Sequence, residues 1–348
     1  SQTHQREFAR RISTLVSRNI PTFLLIGNHD VPHSLGRATS LEIFDTLKVP
    51  KVWVGERLET HWVESNAGWI QIISVPWIRR GALISREEQQ GRTVEELTRY
   101  IEDALTSRLQ EEVSRLDRSY PAILSGHVTL AGAQTSSERS MMLGRDYILQ
   151  RSSIALPELD YVALGHIHKH QSFGTSPPVV YPGSLQRVDF SEELDIKGFC
   201  IVDLDPKAPN GQRVQWQFIP VKARPFVTID VHVPPQTDDP NQAILEAIAR
   251  TKVDGAVVRV RITIPKHLVE RIDEHSIRTA LQTAQFITPL AREIIQDRRL
   301  RIGAQPQTMK PEDALRAYLG TRGDLDEHLR LRAQEQGESL IHEEFEGV

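Results

Sequence analysis

The sequence predicts an α/β fold, and three features carry that prediction. Residues 5–18, "QREFARRISTLVSR", place Phe8, Ile12 and Leu15 at helical spacing and lead into an apolar run, "TFLLI" (22–26), without alternation. Such a run reads as a parallel strand covered on both faces. Two more short apolar runs, "AILSGHV" (122–128) and "YVALGHIH" (161–168), have the same character. All three end in glycine followed by polar, ligand-type residues. Sites in open α/β sheets form where parallel strands end in loops, so three such endings predict one shared site.

The remaining elements follow in order. "RATSLEIFDTL" (37–47) sets Leu41, Phe44 and Leu47 at helical spacing, which makes them core residues. "WIQIISVPW" (69–77) reads as another strand, and 93–116 as a long amphipathic helix. After residue 168 the character changes: "VVYPGSLQRVDF", "GFCIVDLD" and "RVQWQFIPV" read as β-hairpin material. A boundary falls near "PVKARPF" (220–226). Strand "FVTIDVHV", helix 241–251, strand "AVVRVRITI" and helical pieces to about 285 then form a compact α/β unit. "IGAQPQTMKP" (302–311) reads as a linker to a charged helical tail. The expected domains are therefore 1–220, 221–301 and 302–348.

Composition narrows the function classes. The 348 residues are 39% hydrophobic and 25% charged, with a formal net charge of −4, so a global basic field for nucleic acid is excluded. Any such binding needs a local patch. The single cysteine, Cys200, excludes an intramolecular disulfide. No run approaches the length of a transmembrane helix, and "SQTHQREFARR" has no apolar signal core. The expected location is the cytoplasm, with no membrane partner.

Asn28, His29, His127, His166 and His168 carry the chemistry. Imidazole nitrogen and amide oxygen suit borderline divalent ions such as Mn, Fe or Zn. In an extended segment His166 and His168 would point to one side, with His170 a decoy on the same face. Taken singly, each histidine is more simply a hydrogen-bonded surface or core residue. Gly-Asn-His-Asp after one apolar strand, Gly-His after another and Gly-His-x-His after a third form a more specific pattern.

"GNHD", "GH" and "GHIH", in that order, resemble the later motifs of the calcineurin-like metallophosphoesterases. "YPGSLQRVDFSEE…KGF" (181–199) narrows the resemblance to the SbcD-type exonuclease subunit of a double-strand-break repair complex. The resemblance implies a metallophosphoesterase β-sandwich flanked by helices over 1–220, a small α/β capping domain that binds DNA over 221–301, and a helical ATPase-binding segment within 302–348. It implies two Mn²⁺ ions per subunit, bridging a hydroxide that attacks a DNA phosphate. Asn28, His127 and His166 would hold one ion and His168 the other. His29 would stabilise the phosphate or protonate the leaving oxygen, and Asp30 would either orient His29 or cap the following turn. Arg79, Arg80, Lys169 and Arg187 are the DNA-contact candidates, with Arg37, Arg139 and Arg145 near the same loops. Tyr181, Gly183 and Ser184 are expected in a tight turn beside the metals. The tail would bind the coiled coil of an SbcC-type ATPase through Ala314, Leu315, Tyr318, Leu319 and Leu325, and a homodimer is expected by analogy.

The sequence departs from the pattern in one respect. The family's upstream Asp-x-His and Gly-Asp-x-x-Asp motifs have no counterpart, because the first aspartate is Asp30 itself. The expectation is that the chain begins inside the fold and lacks the bridging carboxylate. Two other readings follow: a non-catalytic scaffold for DNA and ATPase, and a small-nucleotide phosphodiesterase of the same superfamily. The capping domain and tail argue against the latter.

Overall fold

Helix α1 (Gln2–Ser17) forms as its spacing predicts and buries Ile12. Strand β1 (Thr22–Leu25) follows and pairs in parallel with β2 (Val52–Gly55), with α2 (Glu42–Thr46) between them in the chain. Ile12, Ile26, Leu41 and Phe44 form a small core here, while Leu47, expected inside, is exposed. In this computed structural model the described residues are 2–31, 38–77, 93–135, 147–209, 212–295, 310–320, 322 and 326–345.

The main sheet is mixed. Strands β3 (Glu59–Ser65) and β4 (Gly68–Val75) form an antiparallel edge. Helix α3 (Val94–Ser114) starts at a capping box, with Thr93 and Glu96 satisfying each other's backbone N–H groups. It leads to β5 (Ala122–His127), and the two-residue strands β6 (Thr129–Leu130) and β7 (Ile148–Leu149) pair beside it in parallel. After a short turn of helix, α4 (Arg151–Ile154), come β8 (Tyr161–Gly165), β9 (Gln171–Phe173) and β10 (Val179–Tyr181). The sheet order is β3-β4-β5-β8-β10-β9, and β4, β5, β8 and β10 run parallel. Ile101, Leu105 and Leu109 of α3 cover Ile73, Leu124 and Val162 of the sheet in one continuous core. The result is the expected α/β architecture: a mixed sheet flanked by helices.

The expected hairpin material is found in part. Val179–Tyr181 pairs antiparallel with Gln171–Phe173 across a short loop and in parallel with β8, while the rest of "VVYPGSLQRVDF" is a loop ending in a 3-10 turn at Phe190–Glu192. "GFCIVDLD" and "RVQWQFIPV" form the hairpin of β11 (Gly198–Leu204) with β12 (Val214–Pro220).

The chain divides into two compact units, one of Ser1–Thr228, Val253–Arg259 and Leu281–Thr288, the other of Ile229–Lys252, Val260–Ala280 and Pro289–Val348. A smaller sheet contains β13 (Phe226–His232), β14 (Val257–Pro265), β15 (Phe286–Ile287) and β16 (Ala291–Ile295), with β14 parallel to β15 and β16. Helix α5 (Pro240–Ala249) buries Ile244 and Ile248, and α6 (Glu274–Ala280) buries Ile277. In the second unit α7 (Pro311–Gly320) and α8 (Glu327–Phe345) pair, joined by Arg316 and Glu338 at 2.9 Å. Among the described residues, no helix is long and apolar enough to cross a membrane.

Candidate functional site

The parallel strands deliver their C-terminal residues to one end of the sheet. Beyond β1 the chain makes a turn closed from both sides: Gly27 N–H donates to Asp30 Oδ2 at 2.9 Å, and Asp30 N–H donates to Gly27 O at 3.1 Å. Asp30 thus closes the turn from Gly27 to Asp30. It places Asn28 and His29 within the turn. Gly27 is needed because a Cβ there would lie 2.8 Å from the His127 ring.

Asn28 Oδ1 and His127 Nε2 face each other at 2.9 Å. His127, at the end of β5, has its ring centroid 5.0 Å from that of His166. Trp77 backs both: its ring lies 6.1 Å from His127 and 5.2 Å from His166 and stacks on Tyr147, and its backbone N–H donates to Ile26 O at 2.8 Å. Burial is the main cause that pushes the His127 pKa down to about 3, and the neighbouring His166, His29 and His168 lower it further. His127 is thus a neutral imidazole with a lone pair to give.

His166 has φ +93°, left-handed backbone for a residue with a side chain. Such a conformation costs on the order of 1–3 kcal/mol and concentrates at functional sites. It also corrects the sequence reading. The strand ends at Gly165, the chain bends, and His166 and His168 do not line one face of an extended segment. His166 joins Trp77 and His127, whereas His168 Nδ1 meets Glu192 Oε1 at 2.8 Å. Glu192 Oε2 lies 2.7 Å from Lys197 Nζ, and both side chains are fully buried. Lys197 also donates to His168 O at 3.0 Å, which Ser184 N–H reaches at 3.0 Å too. His170 stacks on Phe218 at 3.9 Å and meets Tyr181 O through Nδ1.

The other candidates divide. Lys169 donates to Gln134 Oε1 at 2.8 Å. The Arg187 guanidinium donates to the carbonyls of Glu192, Glu193, Asp195 and Arg224, so it staples its own loop. Arg37, Arg79, Arg80, Arg139, Arg145 and Leu325 lie outside the described residues. Leu315 packs against Gly337 and Leu319 is buried, while Tyr318 is half exposed. Tyr181, expected in the turn, is buried in the sheet, where its hydroxyl donates to Val128 O and accepts from Leu130 N–H. Sequence reasoning missed Trp77, Glu192 and Lys197. Both charged residues lie inside the stretch that carried the family resemblance, which was the available signal.

The donor set can be tested against the implied metal. Bonds of about 2.1 Å to a shared ion put neighbouring ligands roughly 3 Å apart, which the Asn28–His127 pair matches. Among the described residues, however, no group of three or more His, Cys, Asp or Glu side chains is arranged to hold an ion. The described residues therefore fit part of the seat for one ion and do not fit a two-metal centre.

No family model matches the chain. Among curated proteins it is similar to the SbcD subunit of the SbcCD nuclease of Staphylococcus epidermidis, 27% identical over 216 residues, covering 60% of this chain and 51% of that protein. The protein of the same name from Bacillus subtilis is 27% identical over 215 residues, 60% of this chain and 53% of its own length. That of Escherichia coli K12 is 27% identical over 176 residues, 49% and 42% respectively. The chain thus spans about half the length of the curated relatives it matches. Over that span the chain is similar to the SbcD-type nuclease subunits, and its mixed sheet flanked by helices is consistent with the metallophosphoesterase fold.

Proposed function

We propose that this chain is part of a metal-dependent DNA nuclease subunit that hydrolyses phosphodiester bonds, with Mn²⁺ as its ion. The observation that carries the reading is the convergence of Asn28 Oδ1 and His127 Nε2 beside His166 at the ends of parallel strands, in a chain similar to nuclease subunits. A divalent ion held by Asn28 and His127 would polarise a phosphate oxygen and lower the pKa of a bound water.

The chain's own residues supply the rest. The depressed basicity of His127 keeps its lone pair available at neutral pH. Trp77 packs its ring against His127 and His166 and helps hold both in place. Asp30 closes the turn that holds His29, and His29 offers a proton to the leaving oxygen. Lys169, together with Arg79 and Arg80, contacts phosphates and positions the duplex without reading bases. Residues 221–301 act as the DNA-binding cap. The helical tail docks on an SbcC-type coiled-coil ATPase through Tyr318 and its neighbours, and exposed Ile43 and Leu47 of the α2 region face a second copy in a homodimer.

The test is cleavage of end-labelled linear duplex DNA in Mn²⁺. His29→Ala should lower the rate about 10²–10⁴-fold while Mn²⁺ still binds; an unchanged rate would remove His29 from the chemistry. The non-catalytic scaffold is the second reading, favoured by the lack of a complete ligand group among the described residues. DNA binding without any cleavage by the unaltered chain would select it.

A further inference from the structure

The end of the main sheet opposite His127 and His166 carries an exposed aromatic cluster. Trp62 of β3, Trp69 of β4 and Tyr120 just ahead of β5 are 43%, 44% and 36% exposed, although rings of this size usually bury most of their area. Across the two strands Trp62 pairs with Gln71 and Glu64 with Trp69, so both indoles and the Glu64 carboxylate share one face of the sheet. The Tyr120 ring meets that of Trp62 edge-on at 5.1 Å.

The cluster is fixed from below. The buried Gln71 side chain exchanges two hydrogen bonds with the Asp117 backbone, at 2.8 and 2.9 Å, and Gln71 N–H donates to Pro121 O at 2.9 Å. Tyr120 N–H donates to Asp117 O at 3.1 Å, and Ser119 N–H to Asp117 Oδ1 at 2.9 Å. Arg213, ahead of β12, donates to Arg118 O at 3.2 Å and ties the β11–β12 hairpin to the same segment. Between the sheet and the hairpin lies a groove of about 200 Å³ whose walls include Trp69, Tyr120, Pro121, Leu204 and Pro206.

A shallow groove walled by fixed aromatic rings suits proline. Pyrrolidine rings pack flat on indole and phenol faces, and a polyproline II segment reaches the surface already ordered. Its carbonyls are unpaired, and Trp Nε1–H and Tyr O–H can donate to them. The surrounding charges select further. Glu64 faces Trp69, Asp117 begins the Tyr120 turn, and Asp205 lies between Leu204 and Pro206. All three are exposed, and among the described residues none has an ion-pair partner. Lys207 offsets one of them. The nearby arginines are already engaged, Arg118 with Glu158 at 3.0 Å and Arg213 with Asp160 at 3.9 Å. This acidic surplus repels the phosphates of a single strand, whose bases could otherwise stack on the same rings, and it attracts cations.

We propose that the groove binds an extended, proline-rich peptide of a partner protein, with lysine or arginine beside the prolines. The inference does not depend on the nuclease reading, since Asn28 and His127 lie at the other end of the sheet.

The experiment is fluorescence anisotropy of the full chain with two labelled proline-rich peptides, alike except that one carries arginines and the other glutamates beside the prolines, and with a labelled oligo-thymidine strand. The arginine peptide should bind saturably, and the glutamate peptide about 10-fold more weakly. Trp69→Ala should weaken the arginine peptide about 10–30-fold, as loss of an aromatic anchor does. Glu64→Lys, at an exposed position, should narrow the gap between the two peptides. No saturable binding of the arginine peptide, or equal binding of both peptides, overturns the proposal and needs no variant to fold. Arginine-peptide binding that Trp69→Ala leaves unchanged also overturns it. Oligo-thymidine binding that Trp69→Ala abolishes would give the groove to nucleic acid, and a dimer that Trp69→Ala dissociates would give it to a second copy; either result overturns the peptide assignment.

Discussion

The turn after β1 and the loop after β8 both present polar side chains at strand ends, and they are held in different ways. β8 lies between β5 and β10, is largely buried, and its following loop is clamped by the fully buried Glu192–Lys197 pair. All four residues of β1 are only half-buried, and among the described residues the strand pairs with β2 alone. Its turn, Gly27 to Asp30, is closed by two hydrogen bonds between near neighbours. One side of the site is thus held by a buried charge pair whose hydrogen bonds reach His168 from a distant part of the chain, and the other rests on local geometry. Sites hold their groups to useful precision only when supporting contacts lock the rotamers, so the His168 side should be rigid and the Asn28–His29 side should be the adaptable one.

The largest test of that contrast is Lys197→Ala. It strands Glu192 as an unpaired buried charge, and breaking such a pair costs about 3–5 kcal/mol, readable as a fall in the urea midpoint. A loss below about 1 kcal/mol would mean that the clamp behaves like a surface pair and the contrast is false.

A smaller effect comes from His127, which lies between the two sides. Its pKa in the folded, metal-free chain is held down to about 3, against about 6.5 in an unfolded chain. Between those values the unfolded state binds the proton and the folded state does not. Stability is therefore complete above about pH 6.5 and is lost as the pH falls toward 3, by up to about 1.4 kcal/mol per pH unit. Unfolding measured from pH 7 to pH 5 should show this acid limb, and His127→Gln should flatten it.

The smallest effect is expected at the β1 turn. Asp30→Ala removes one part-buried hydrogen bond and should cost about 1 kcal/mol in the same urea assay. A loss as large as that of Lys197→Ala would erase the distinction between the two sides.

The strands and their glycine-histidine endings were legible because apolar runs and glycine punctuation are local signals. Asn28 and His127 could be placed together for that reason. The clamp was not legible: Glu192 and Lys197 sit in a polar stretch, and charged residues are by default exposed unless a partner brings them in. Arg187 misled in the same way, because four backbone carbonyls rather than phosphates take its guanidinium. The bend at His166 was hidden as well, since a positive φ at a residue with a side chain is imposed by its surroundings. In the tail, Leu315 and Leu319 are anchors for a partner only by the family resemblance, and in the structure Leu315 packs against Gly337 and Leu319 is buried.

In the proposed function Asn28 and His127 share one ion. Mn²⁺ titration calorimetry on the purified chain, beside Asn28→Ala and His127→Ala, tests it most directly. A single Mn²⁺ site that both substitutions abolish is the expected result. Mn²⁺ binding that survives both unchanged would contradict it.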